Sequence, residues 1–148
     1  MKHPKPFLFK PQHPEKYAGN PNNIVCRSKL EYYFYRFFDT NPSVLAWGSE
    51  EIVIPYFNPL DRRMHRYFPD NILKVKTKDG KEKVIMAEIK PFAFCSPPKP
   101  PKRQTQGYIN RVEDYVRNQS KWKAAREWCG KKNIEFKILT ENDLKRKK

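Results

Sequence analysis

Cysteine is scarce. Cys26, Cys95 and Cys129 are odd in number, far apart and never in a Cys-x-x-Cys pair. That pattern argues against a disulfide framework or a structural zinc site and for a reducing compartment. The histidines are equally scattered. His3 and His13 read as surface residues of the first stretch, and His65, although close to Asp70 and able to meet a phosphate, fits a solvated turn better. No apolar run is long enough to span a bilayer. The opening Met-Lys-His-Pro-Lys-Pro-Phe lacks the apolar segment of a signal peptide. The expectation is therefore a chain neither secreted nor membrane-bound. Acidic residues are also few: 16 Asp and Glu stand against 31 Lys and Arg, a net charge of +15. An excess that large implies a polyanionic partner, most often nucleic acid.

What is present supports a folded domain rather than a basic tail. The 148 residues are 38% hydrophobic and 14% aromatic, enough for a core in one domain despite a mean hydropathy of -0.93. Residues 1–23 hold Pro4, Pro6, Pro11, Pro14 and Pro21, which predicts an extended arm without regular structure. A helix is expected over 28–39, with Leu30, Phe34, Phe37 and Phe38 as its apolar stripe. Ser28-Lys29-Leu30-Glu31 matches a capping box at its start, and Asn41-Pro42 ends it. One or two strands follow over 44–56, with Gly48 and Ser49 at a bend and Glu50 and Glu51 between the apolar parts.

After the Pro-rich basic stretch at 97–103, residues 108–130 read as a helix, with a break conceivable near 118–120 and Gly130 as its C′ residue. Its tryptophans are assigned to packing. Ile134, Phe136 and Ile138 alternate as a last strand, Thr140 caps a short terminal turn, and residues 145–148 form a basic tail. From Lys99 onward 15 Lys and Arg face 6 Asp and Glu, so more than half of the excess charge lies in this part of the chain.

The stretch 67–91 carries the chemistry. Two apolar strands, 66–76 and 82–90, flank Thr77-Lys78-Asp79-Gly80-Lys81, and Asp-Gly between such runs predicts a hairpin because both residues tolerate positive φ. The hairpin would set Asp70 beside Glu88, 18 positions later. Alternation puts Met86, Glu88 and Lys90 on one strand face and Ala87 and Ile89 on the other. Pro69 lacks a ladder donor, so a strand start, edge or bulge is expected there, turning Asp70 into a cleft. Two carboxylates and a lysine converging suit a hard divalent cation such as Mg²⁺. Such a set can polarise a phosphodiester while the lysine stabilises negative charge. A solvated strand face with a cross-strand ion pair would look the same in the triplet alone.

Arg27-Ser28-x-x-Glu31, Phe68-Pro69-Asp70 and Glu88-Ile89-Lys90, in that order, resemble the PD-(D/E)xK nuclease superfamily. Within it the chain is most similar to the head-completion nucleases of T4-like tailed phages and, more distantly, to the N-terminal domain of TnsA transposon endonucleases. The stretches 22–24, 49–52, 64–70 and 121–125 support the resemblance. It implies an α/β, restriction-endonuclease-like fold, a central mixed sheet flanked by helices, over residues 24–144. It also implies Asp70 and Glu88 as metal ligands, Lys90 as catalytic lysine, and Glu31 as the helix-borne carboxylate that completes or supports the site. Gln119 and Lys121 fall where the superfamily often has a polar helper helix. The implied activity is Mg²⁺-dependent hydrolysis of double-stranded DNA, with Mn²⁺ as a substitute. The implied setting is the virion or host cytoplasm, at the head–tail joining step, with phage head or neck proteins as partners. A non-catalytic basic DNA-binding or joining protein, and a strand-cutting partner of a transposase, are the alternatives.

Overall fold

The Pro-rich residues of the first stretch, read as an extended arm, are tied to the body by strand pairing and side-chain bonds. The computed structural model describes residues 5–49 and 52–144; His3, Glu50, Glu51 and the basic tail at 145–148 lie outside them. β1 (Phe7–Phe9) pairs antiparallel with β2 (Ile24–Cys26) and buries Phe9 against Tyr35 and Trp47. α1 (Lys29–Thr40) supplies the rest of the anchor. The buried Asp39 carboxylate accepts from the backbone N–H of Gln12 at 2.7 Å and of His13 at 3.0 Å. Lys16 Nζ donates to the carbonyls of Phe38, Asp39 and Asn41 at 2.7–3.0 Å. A helix end leaves carbonyls unpaired and carries partial negative charge, so an ammonium satisfies both needs there. Proline density hid this docking because the bonds join segments 22 or more residues apart.

α1 starts as its sequence predicts: the Ser28 hydroxyl accepts from the Glu31 N–H at 3.1 Å. Its buried face is Phe34, Tyr35 and Phe38, while Phe37 is exposed. At 100° per residue Phe37 falls on the flank and Tyr35 turns inward.

The strands that follow are β3 (Val44–Gly48), β4 (Ile54–Asn58), β5 (Arg63–Tyr67), β6 (Asn71–Lys76), β7 (Glu82–Ile89) and β8 (Glu135–Leu139), with α2 (Gln106–Lys131) before the last. The main sheet is mixed, in the order β3-β6-β7-β8, antiparallel except for the parallel β7–β8 pair. β4 and β5 form a separate two-stranded ribbon. The single strand expected over 66–76 is thus two, parted at Phe68-Pro69-Asp70, where the missing proline N–H interrupts the ladder. The β6–β7 hairpin forms, but only Gly80 takes positive φ (83°). Gly80 N–H donates to Thr77 at 3.0 Å and Thr77 N–H to Lys81 at 2.8 Å. This is a three-residue loop closed by one left-handed glycine, not a turn with two.

α2 runs unbroken through 118–120, where Ser120 Oγ donates back to the Val116 carbonyl at 3.0 Å. Gly130 lies inside the helix. Asn133 (φ 58°) is the left-handed residue that ends it, and Ile134 N–H closes on the Cys129 carbonyl at 3.0 Å.

Two cores sandwich the sheet. α1 and the β1–β2 pair cover one face, meeting Leu73, Ile85, Ala87 and Ile89. α2 and the β4–β5 ribbon cover the other, meeting Met86. β7 therefore serves both layers through the alternation expected of it. Trp47 and Trp122 are fully buried in the two cores, consistent with a packing role. The result is an α/β fold with a central mixed sheet flanked by helices. Among the described residues no helix is long and apolar enough to cross a membrane.

Replacing Asp39 by Ala leaves two part-buried N–H groups without their acceptor. The expected loss is about 2 kcal/mol, read by chemical denaturation, with faster proteolysis within residues 5–23. An unchanged cleavage pattern would show that the docked segment does not depend on this carboxylate.

Candidate active site

The site grows out of the break at Pro69. Asn71 pairs with Ala87, so the next step outward brings Asp70 opposite Glu88. Asp70 Oδ2 accepts from the Ile89 N–H at 3.1 Å, and buried Asn71 donates Nδ2 to the Asp70 carbonyl at 2.8 Å. These two bonds hold Asp70 at the strand end and aim its carboxylate across β7. Glu88 is 8% exposed, and Tyr67, at the end of β5, donates its hydroxyl to Glu88 Oε2 at 2.6 Å. The Asp70 and Glu88 carboxyls lie close enough for each to shift the other's titration.

Burial, with Asp70 alongside, pushes the Glu88 carboxyl up to about 7. Burial also raises Asp70, against the Ile89 N–H, Glu88, Lys90 and Arg27, which favour its ionised form. Both carboxyls are thereby held above the ordinary carboxylate range.

Lys90 Nζ lies 4.0 Å from Glu88 Oε1, and its backbone N–H donates to the Leu139 carbonyl at 2.9 Å, extending the β7–β8 pairing. Glu31 faces the pair from α1. Burial and the Asp70 charge raise its carboxyl above the usual range. Its two oxygens accept from the Arg27 N–H at 3.1 Å and from the Tyr35 hydroxyl at 3.2 Å. The capping box therefore closes onto Arg27 rather than Ser28, and the same carboxylate feels Asp70: capping and site readings of Glu31 coincide in one side chain.

α2 adds Lys121. Its ammonium sits 5.9 Å from the ring centroids of both Tyr56 and Tyr67. Burial lowers its pKa, while the Glu88 charge works the other way and Lys90 reinforces the drop. Two ammonium groups thus flank the carboxyl pair, one from β7 and one from α2. His65 does not join them. It stacks on Tyr56 and bonds Asp61 at 2.6 Å.

Hard oxygen donors and a displaceable proton suit a small divalent cation. Among the described residues no three His, Cys, Asp or Glu gather closely enough to enclose one. Asp70 and Glu88 could hold such an ion with water filling the remaining positions, which is the habit of Mg²⁺. Tyr67 and Asn71 carried no sequence signal for these contacts. Tyr67 meets Glu88 from 21 positions away, through a change of strand.

A family model described as TnsA-like endonuclease N terminal matches residues 41–141. The chain belongs to that family. It is also 37% identical over 139 residues to the head completion nuclease of Enterobacteria phage T4, covering 91% of this chain and 90% of that protein. Both similarities support the PD-(D/E)xK relationship read from its motifs. No solved structure matches.

The raised Glu88 carboxyl sets a pH signature for this family member without metal. A carboxyl whose folded pKa exceeds its unfolded value contributes stability below the unfolded value and loses it as pH rises through about 7. Glu88→Gln removes this contribution. In EDTA, the variant's stability relative to the natural chain should increase between pH 5 and pH 8. A pH-independent difference would mean that Glu88 titrates normally.

Proposed function

We propose that this chain is a divalent-metal-dependent DNA nuclease that hydrolyses phosphodiester bonds of double-stranded DNA. The observation that carries the reading is the buried Asp70–Glu88 pair with Lys90 at 4.0 Å from Glu88. Buried acids forced together cost stability, and a cation-binding role gives that cost a purpose. Asp70 and Glu88 would hold the ion, and Glu31 would support them from α1. Mg²⁺, with Mn²⁺ as a substitute, would supply Lewis acidity towards the phosphate and towards a bound water.

The protein's own groups do the rest. Tyr67 and the Ile89 N–H fix the two carboxylates before substrate arrives. Lys90 offers its ammonium to the charge that develops on the phosphate, or orients the nucleophile. Lys121 raises the local cation density for the DNA backbone. The net charge of +15 favours a polyanionic substrate.

The T4 relative, aligned along nearly the whole chain, supports a role in head completion during virion assembly, on DNA at the head and in company with head or neck proteins. A non-catalytic basic DNA-binding protein would share the charge but would leave the buried acid pair unexplained.

Purified protein should cut duplex DNA with Mg²⁺ or Mn²⁺ and stop in EDTA. Asp70→Ala, Glu88→Ala and Lys90→Ala should each lower the rate by about 10²–10³-fold, the scale for losing one charge-stabilising group. Glu31→Gln, which keeps one acceptor for its hydrogen bonds, should lower cleavage while leaving Tm nearly unchanged. Mg²⁺ should raise the Tm of the natural chain but not that of Asp70→Ala. Undiminished cutting by the Asp70 and Glu88 variants would refute the site.

A further inference from the structure

The β4–β5 ribbon stands apart from the main sheet; one face packs on α2, and Pro55, Phe57 and Met64 line a groove shared with Ser120, Lys123 and Glu127 of α2. Ile54, Tyr56 and Tyr67 are buried against α2. The register pairs Pro55 with Arg66 and Phe57 with Met64, which places these four on the outward face. Phe57 is 53% exposed and Met64 63%, and Phe68, just past the ribbon, is 56% exposed. The Arg66 guanidinium lies 5.9 Å from the Phe68 ring centroid. Arg62 and Arg63 are exposed at the turn. The ribbon's one acid, Asp61, is taken up by His65 at 2.6 Å and the Arg63 N–H at 3.0 Å. This face therefore presents Arg66 among large apolar side chains, with Arg62 and Arg63 at the adjoining turn. Apolar surface left in water marks a contact site, and the surrounding charge selects a polyanion over a protein of like sign.

We infer that the outward face of the β4–β5 ribbon is the duplex-holding element, seated in a groove of the DNA with its arginines on the phosphates. The major groove, about 12 Å wide, admits a two-stranded ribbon. Only Phe68 and Pro69 separate Tyr67 from Asp70, so the near end of the ribbon lies within about 10 Å of Asp70 along the chain. Tyr67 itself ends the ribbon and bonds Glu88, which ties the holding element to the site. The inference rests on the DNA-nuclease reading but concerns binding, which can be measured without turnover.

The experiment is fluorescence anisotropy of the full chain in EDTA on a duplex of about 30 base pairs, across a salt series. Replacing Arg62, Arg63 and Arg66 together by Ser should weaken binding at least about tenfold and lower the salt slope by two to three, about 0.9 per lost phosphate contact. The same triple replaced by Lys should keep the slope. A control of equal charge change, Lys76, Lys78 and Lys81 to Ser at the opposite end of the β6–β7 hairpin, should lower the slope by less than one. Phe57→Ser with Met64→Ser should weaken binding several-fold at unchanged slope. Tm reports folding of each variant. If the arginine triple folds and binds like the lysine control, the inference is overturned and the face docks something other than DNA. Ribbon-dependent binding without any Mg²⁺-dependent cutting would sink the nuclease reading and leave this one standing.

Discussion

Two carboxyl groups, Asp70 and Glu88, are pressed together in a largely buried place, and much of the molecule is arranged to tolerate that repulsion. An unpaired buried charge is expensive, and two of the same sign more so. The Tyr67 hydroxyl, the Ile89 N–H and the nearby Lys90 ammonium offset part of the cost. Tyr67 comes from β5, and Ile89 and Lys90 from the end of β7. The acid pair can therefore exist only when β5, β6 and β7 are assembled together.

The position of the pair follows from the two-layer core. β7 packs Ile85, Ala87 and Ile89 under α1 and Met86 under α2, so its end lies where the layers part. Glu31 approaches from the α1 side, Lys121 from the α2 side, and Tyr67 from the ribbon. The far end of α1 is held by Lys16 and Asp39 through the first segment of the chain. That docking fixes the helix whose other end carries Glu31. What looked like an appendage thus bears on the site through a rigid element.

The arrangement also separates two tasks electrostatically. Near the acid pair, cations are few and placed singly, as Lys90 and Lys121. On the ribbon they cluster with exposed aromatic and sulfur side chains.

By itself the sequence determined the local features. Serine and glutamate three apart capped α1, strict alternation along β7 sorted Glu88 and Lys90 from Ala87 and Ile89, and Pro69 interrupted a ladder it could not join. Each follows from bonds or sterics within a few residues. Motif order was legible too, and with it the family. The tertiary structure alone decided the docking of residues 5–23, the division of one expected strand between a ribbon and a sheet, and the choice of Tyr35 over Phe37 as core. It alone decided Tyr67 as the partner of Glu88. Those depend on which surfaces meet after the chain has turned several times, and residues 20 to 50 positions apart leave no periodicity by which to find one another. The raised Glu88 carboxyl has the same origin: a pKa is set by burial and neighbours, and neither exists until the two cores have closed on β7.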